Sequence, residues 1–303
     1  MKTWALILRA LESHGRCALV SVVKTEGSAP RDAGARLVVT PEGFHGTIGG
    51  GTLEWRAIAE AQSLLDRGAA VKLASHALGP DMGQCCGGRV QLATEIFDAS
   101  SLPSVRDLAA REAQGRFIMR GRIASLDIVE SFGEDNRRLY LFGAGHVGKA
   151  LVLALAPLPF DVHWIDARPG AFPRAVPQNV TLAASAELAK APDGSLVYVM
   201  THSHALDLAI TDEALRNPRI AHVGLIGSAT KRARFVKRLR EAHVAEPRIE
   251  GLICPIGVPG IRSKEPAMIA AATVAQLLVL DEGLRAGRIA DAPQVAERKR
   301  GAQ

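Results

Sequence analysis

Aromatic residues are scarce, at 4% of the 303-residue chain. A sequence so poor in stacking side chains, and without a recognised nucleic-acid motif, gives little ground for a nucleic-acid partner, although its net charge is +6. Cysteine is scarce as well. Four cysteines in a chain of this length do not make a disulfide framework, which leaves the cytoplasm as the expected compartment. Long hydrophobic runs are missing. The longest, residues 150–159, is too short to span a bilayer, so no membrane association is expected. No signal peptide is apparent: Met1-Lys2-Thr3-Trp4 leads into an amphipathic pattern (Trp4, Ile7, Leu8, Leu11) that stops at Gly15. Internal repeats and low-complexity tracts are also lacking.

What is present is an ordinary globular composition, 48% hydrophobic and 22% charged, in a chain long enough for two domains. The polar, aperiodic stretch "SFGEDNRR" (131–138) marks a boundary, giving domains of 1–130 and 139–290. Before it, "CALVSVVKT", "ARLVVT", "FHGTIG", "AVKLASHAL" and "RVQLATEIF" predict strands. "TLEWRAIAEAQSLLDRG" predicts a helix, with Leu53, Ala57, Ile58, Ala61, Leu64 and Leu65 at helical spacing and Gly68 as its stop. This is a mixed α+β domain. After the boundary, short apolar strands ("RLYLF", "DVHWID", "SLVYVM", "AHVGLIG") alternate with helical stretches. That alternation predicts a Rossmann-like parallel sheet covered on both faces. The fold class is therefore α/β, and the final "APQVAERKRGAQ" reads as a frayed tail.

"GAGHVG" supplies Gly143, Gly145 and Gly148 between a strand and a helix, and Asp166 ends the next strand. In that context the first glycine permits the tight turn, the second admits a pyrophosphate, and the third lets helix and strand pack closely. Asp166 would accept hydrogen bonds from ribose hydroxyls. A Rossmann turn that has lost its nucleotide is the competing reading. His146 lies inside the glycine loop. His202 and His204 in "THSH" follow a strand at its C-terminal end, as an acid, a base or a polar helix start. No third metal ligand with suitable spacing accompanies them.

"GTIGGGTLEW" (46–55) is a second glycine-rich entry to a helix. Gly49, Gly50 and Gly51 would present backbone N–H groups to an anion, and Glu54 would meet a heterocycle edge or complement the helix dipole. Upstream, Arg31 and Arg36 are suited to phosphate. In "MGQCCGG" (82–88), Cys85 and Cys86 are adjacent, a spacing of neither a zinc pair nor a dithiol pair. Gly87 and Gly88 leave room for a ligand, and Arg89 would favour a thiolate; two small apolar residues at a strand entry is the alternative. Cys17 and Cys254 read as structural. Basic residues concentrate in "TKRARFVKRLRE", where Lys231, Arg234, Lys237 and Arg238 would line one helix face.

Taken together, "GSAPRDAGARLVV", "GTIGGGTLEW", "GQCCGG", "LFGAGHVGKAL", "VHWIDARPGAFP", "THSHALDLAI", "GLIGSATKRARF" and "PIGVPGI" resemble the xanthine dehydrogenase accessory proteins of the XdhC/CoxI type over nearly the whole chain. The sequence departs from that pattern at "PGIRSKEPAM" and at Thr52. The resemblance implies a molybdenum cofactor (molybdopterin) chaperone, not itself an enzyme, acting in purine catabolism. Such a protein takes the cofactor from a cofactor-biosynthesis protein and shields it while a cysteine desulfurase supplies the sulfido ligand. It then delivers the cofactor to apo-xanthine dehydrogenase. Cys85 or Cys86 would contact the molybdenum centre, Gly49–Gly51 and Glu54 the phosphate, and the basic helix a partner. A homodimer is the default expectation. The alternative is an NAD(P)-dependent oxidoreductase using a dinucleotide at Gly143, Gly145, Gly148 and Asp166.

Overall fold

The computed structural model describes residues 1–68, 71–79, 87–123 and 126–288, together with the backbone of 295–297. It forms two compact units, Met1–Asp135 with Pro293–Gln303, and Asn136–Ala292.

The first unit is built around β1 (Arg16–Glu26). With β2 (Arg36–Val39), β3 (Phe44–Thr47), β4 (Val71–Ala77) and β5 (Arg89–Asp98) it forms an antiparallel sheet in the order β3-β2-β1-β5-β4. The run "CALVSVV" lacks polar alternation because both faces of β1 are covered. Ala18, Val20 and Val22 pack on α2 (Gly51–Arg67) through Leu53, Ala57, Ile58, Ala61 and Leu65. Cys17 and Leu19 face the other way, onto Trp4, Ile7 and Leu11 of α1 (Thr3–His14) and Val105 of α3 (Leu102–Gln114).

A second sheet in this unit pairs β6 (Phe117–Ile123) with β7 (Leu126–Phe132). These elements and α3 escape the sequence reading, because charged residues interrupt the apolar pattern. One such charge is buried: Glu130 pairs with Arg36 at 3.4 Å, and the Arg36 guanidinium lies 3.8 Å from the centre of the Phe132 ring. Arg36 is therefore core structure, which corrects its expected role at a phosphate. The end of the chain is not wholly frayed, since Val295–Glu297 runs parallel to β6.

The second unit is a six-stranded parallel sheet. It comprises β8 (Arg137–Phe142), β9 (Phe160–Ile165), β10 (Val180–Ala183), β11 (Ser195–Val199), β12 (Ile220–Leu225) and β13 (Leu252–Ile253). Their spatial order is β10-β9-β8-β11-β12-β13, which is the doubly wound arrangement with its switch point between β8 and β11. Leu139, Leu141, Trp164, Leu196 and Tyr198 pack on one face, against α4 (His146–Leu155) and α8 (Pro266–Arg288). Tyr140, Phe142, Val197 and Val199 pack on the other, against α5 (His204–Arg216) and α6 (Ala229–Glu241). The short α7 (Glu246–Glu250) precedes β13.

Helix α8 is long and apolar enough over Pro266–Gly287 to cross a membrane by length and composition, a feature missed in the sequence because Thr273 and Gln276 interrupt its apolar run. Within the unit it supplies Ala270 and Leu277 to the core. Its Asp281 is buried, accepting from Arg137 Nε at 2.7 Å and Arg285 Nε at 2.6 Å.

Candidate functional site

In the first unit three glycine-rich segments meet at one end of the sheet. Residues 27–35 leave β1, 48–50 leave β3, and 87–88 enter β5. Gly88 N–H donates to the Ser28 carbonyl at 3.1 Å, and the Gly88 carbonyl accepts from Leu78 N–H at 2.8 Å. A Cβ at position 88 would stand 2.3 Å from Ser28 O and 2.5 Å from Glu26 O. A Cβ at Gly49 would stand 2.5 Å from Pro30 Cβ and 3.5 Å from Arg31 Cγ. "GSAPR" is thus clasped by glycines of the other two motifs, and only glycine permits the approach. Arg31 is exposed at this junction. Cys85 and Cys86 lie outside the described residues.

Glycines 49, 50 and 51 have φ of 125°, 76° and 65°. Three successive residues in left-handed territory explain the run of three glycines. Their N–H groups, however, do not all face outward. Glu54 Oε2 accepts from Ile48 N–H at 2.9 Å, Gly50 N–H at 3.1 Å and Thr47 Oγ1 at 2.6 Å. Gly49 N–H donates to Thr47 Oγ1 at 3.1 Å. Glu54 is therefore the internal anion of this loop, which corrects the expectation that Glu54, Gly49 and Gly50 together meet an external phosphate. The donors that an outside anion would meet are Arg31 and the remaining N–H groups of the first turn of α2.

Partial burial pulls the Glu54 pKa upward, yet hydrogen bonds from Thr47, Ile48, Gly50 and Gly49 hold it below its ordinary value. A carboxylate whose folded pKa is depressed stabilises fully above its ordinary value of 4.5. That contribution disappears as pH falls through the depressed value. Melting curves of the intact protein are thus expected to shift downward on acidification from pH 4.5 through that depressed value, and Glu54 adds no further shift below it. The Glu54→Gln variant should start lower and respond less to pH over the same range.

The second unit shows the glycine geometry of a dinucleotide turn. Gly143 has φ 111°, and a Cβ there would stand 2.3 Å from Met200 O. A Cβ on Gly148 would stand 2.2 Å from Gly143 O, while one on Gly145 meets nothing within 4 Å. Gly145 is the open position beside the start of α4. A cavity of about 210 Å³ lies over the ends of β8, β9 and β11, lined by Asp166, Arg168, Ala184, Ala186, Leu206 and Ile210 among others. A second cavity of about 380 Å³ is lined by Gly145, His146, Lys149, Arg168 and Gly170. Arg168 is common to both.

Asp166 is not the free ribose acceptor that the sequence suggests. Its Oδ1 accepts from Arg168 N–H at 3.0 Å and Arg168 Nε at 2.9 Å. Its Oδ2 accepts from Ala144 N–H at 2.7 Å and Arg168 Nη2 at 2.7 Å. These bonds, those from Arg168 foremost, hold its pKa far below the carboxylate range. The sequence contains the signal, an arginine two residues after the acid in "DAR".

His202 and His204 both border a third cavity, of about 420 Å³, with Ser228, Thr230 and Arg234. Among the described residues no cluster of three or more metal-ligating side chains forms. Lys231 departs from its expected place on the basic face. Its Nζ turns inward to Asp207 Oδ2 at 2.6 Å and Ile226 O at 2.9 Å. Arg234, Lys237 and Arg238 remain exposed. Cys17 and Cys254 are buried, and burial pushes the Cys17 thiol up to about 12.

These features define a class: a two-unit α/β protein in which a glycine-clasped antiparallel unit is joined in sequence to a Rossmann unit. Residues 10–75 match the XdhC and CoxI family and residues 139–277 match the XdhC Rossmann domain, and the chain belongs to the XdhC/CoxI family. The chain is 29% identical over 276 residues to YqeB of Escherichia coli (strain K12), described as uncharacterized. The match covers 86% of the chain but 43% of that relative's length. A crystal structure from Bacillus halodurans, described as a xanthine dehydrogenase, has the same fold, with a TM-score of 0.77 and 19% identity over 97% of this chain and 98% of that one.

Proposed function

We propose that this protein carries the molybdenum cofactor to apo-xanthine dehydrogenase, holding it at the glycine-clasped end of the first unit. The observation that supports this reading is the convergence of "GSAPR", the Gly49–Gly51 loop and Gly88 at a place where added Cβ atoms would collide. That packs the three segments together directly next in sequence to Cys85 and Cys86, with Arg31 exposed at the junction.

The residues present fit such a cargo by their chemistry. Arg31 provides a fork of N–H donors for a phosphate, and the first turn of α2 adds partial positive charge. Adjacent thiols suit a soft, sulfur-ligated centre, and the cofactor would bring the redox-active metal needed by the recipient enzyme. Neither role requires this chain to catalyse a reaction. A cysteine desulfurase and a cofactor-biosynthesis protein are the expected further partners, with the exposed Arg234, Lys237 and Arg238 as a meeting face.

The test is retention. Protein purified from a molybdenum-replete host is passed through gel filtration, and molybdopterin is measured as its fluorescent oxidised product. Near-stoichiometric pterin is expected, falling at least several-fold in the Cys85→Ala/Cys86→Ala double variant. Unchanged retention in that variant removes the thiols from the role. An absence of pterin, together with NAD(P)-dependent turnover of a redox substrate, would favour the oxidoreductase reading, which draws on the cavities beside Gly143 and Arg168.

A further inference from the structure

We infer that the Rossmann unit binds an adenine nucleotide whose ribose carries a 2′-phosphate, with Arg168 as the residue that reads it. The argument starts from acceptor capacity. A carboxylate offers about four lone-pair positions. Asp166 has all of them engaged, two by Arg168 N–H and Nε on one oxygen and two by Ala144 N–H and Arg168 Nη2 on the other. A plain ribose diol needs acceptors at this place, and it would have to break the Asp166–Arg168 pair to obtain them.

A phosphate needs the opposite. It seeks donors, and donors are what the cleft presents. The Asp166 side chain is 5% exposed, whereas that of Arg168 is 44% exposed at the boundary shared by the two cavities. Asp166 cancels the charge of Arg168 and holds its guanidinium in one orientation. Lys149 adds an exposed positive charge on the cavity next to Gly145. The neighbouring slot is apolar along Ala184, Ala186, Leu206 and Ile210, which suits the face of a base. In a turn of this kind, the residue after the second strand decides between ribose hydroxyl and ribose phosphate. Here the exposed group at that place is the arginine.

This inference does not rest on the cofactor-carrier reading, and its test leaves molybdopterin out. The full-length protein is titrated calorimetrically with NADP+, NAD+, adenosine 2′,5′-bisphosphate and 5′-AMP. Each 2′-phosphorylated ligand is expected to bind about ten-fold or more tightly than its unphosphorylated counterpart. Arg168→Ala should remove that preference and strengthen NAD+ binding, since it frees the acceptors of Asp166. Arg168→Lys, which keeps the charge and loses the fork, should retain part of the preference. NAD+ binding as tightly as NADP+ to the unaltered protein, or neither nucleotide binding, overturns the inference.

Discussion

The Asp207→Ala variant is expected to lose about 3–5 kcal/mol of stability in the Rossmann unit. Asp207 has no exposed surface. Its Oδ1 accepts from Thr201 N–H at 3.0 Å and Thr201 Oγ1 at 2.7 Å, and its Oδ2 accepts from Lys231 Nζ at 2.6 Å. Removing the carboxylate strands the Lys231 ammonium, whose side chain is 13% exposed, and leaves Thr201 short of a partner. Urea unfolding followed by tryptophan fluorescence reads the loss, because Trp164 is buried in this unit. The Asp207→Leu/Lys231→Met double variant should recover much of it, as replacing both members of a buried pair costs less than breaking it. Equal losses in the single and double variants would show that the pair itself is not the source.

The Gly88→Ala variant is expected to destabilise the first unit by about 1–3 kcal/mol, the usual cost of overpacking. In the proposed carrier role it should also reduce molybdopterin retention by about an order of magnitude. The added methyl would meet Ser28 O and Glu26 O, which are main-chain atoms and cannot swing aside. Relief therefore requires the 27–31 segment to leave the sheet end. Gly87→Ala is the matched control, because a Cβ there meets nothing within 4 Å. It should leave the melting temperature unchanged, which isolates the main-chain collision as the source of the Gly88→Ala loss. A Gly88→Ala protein that keeps its melting temperature but loses pterin would separate the site from the fold; one that keeps both would contradict the geometry.

Periodicity made the Rossmann unit legible, since strands of four to six apolar residues alternate with helices that begin at Ser203 and Ser228. Both serines accept a hydrogen bond from the first turn, from Leu206 N–H and Lys231 N–H. The short β10 and β13 were not legible, because they are edge strands of only four and two residues, too short to show a periodic pattern. In the first unit the helix α2 and the long β1 were readable. The hairpin β6–β7 was hidden, because its buried charge makes sense only once Arg36 is placed against Glu130 and Phe132. The glycine roles at 143 and 148 followed from the motif, while the occupations of Asp166, Glu54 and Lys231 did not. Each acidic or basic group found its partner within the fold: Arg168, the backbone of its own loop, and Asp207. A motif announces which groups gather at a place, but only the coordinates say which of them are already satisfied.

The way Glu54 closes its own loop has a kinetic corollary. A segment whose donors are held from within keeps its contour whether or not anything rests against it. Taking on cargo then imposes no ordering penalty there, and letting go releases no compensating disorder. In the proposed role, the carrier exerts little pull in either direction through this segment, and the destination is decided by the grip of the receiving enzyme.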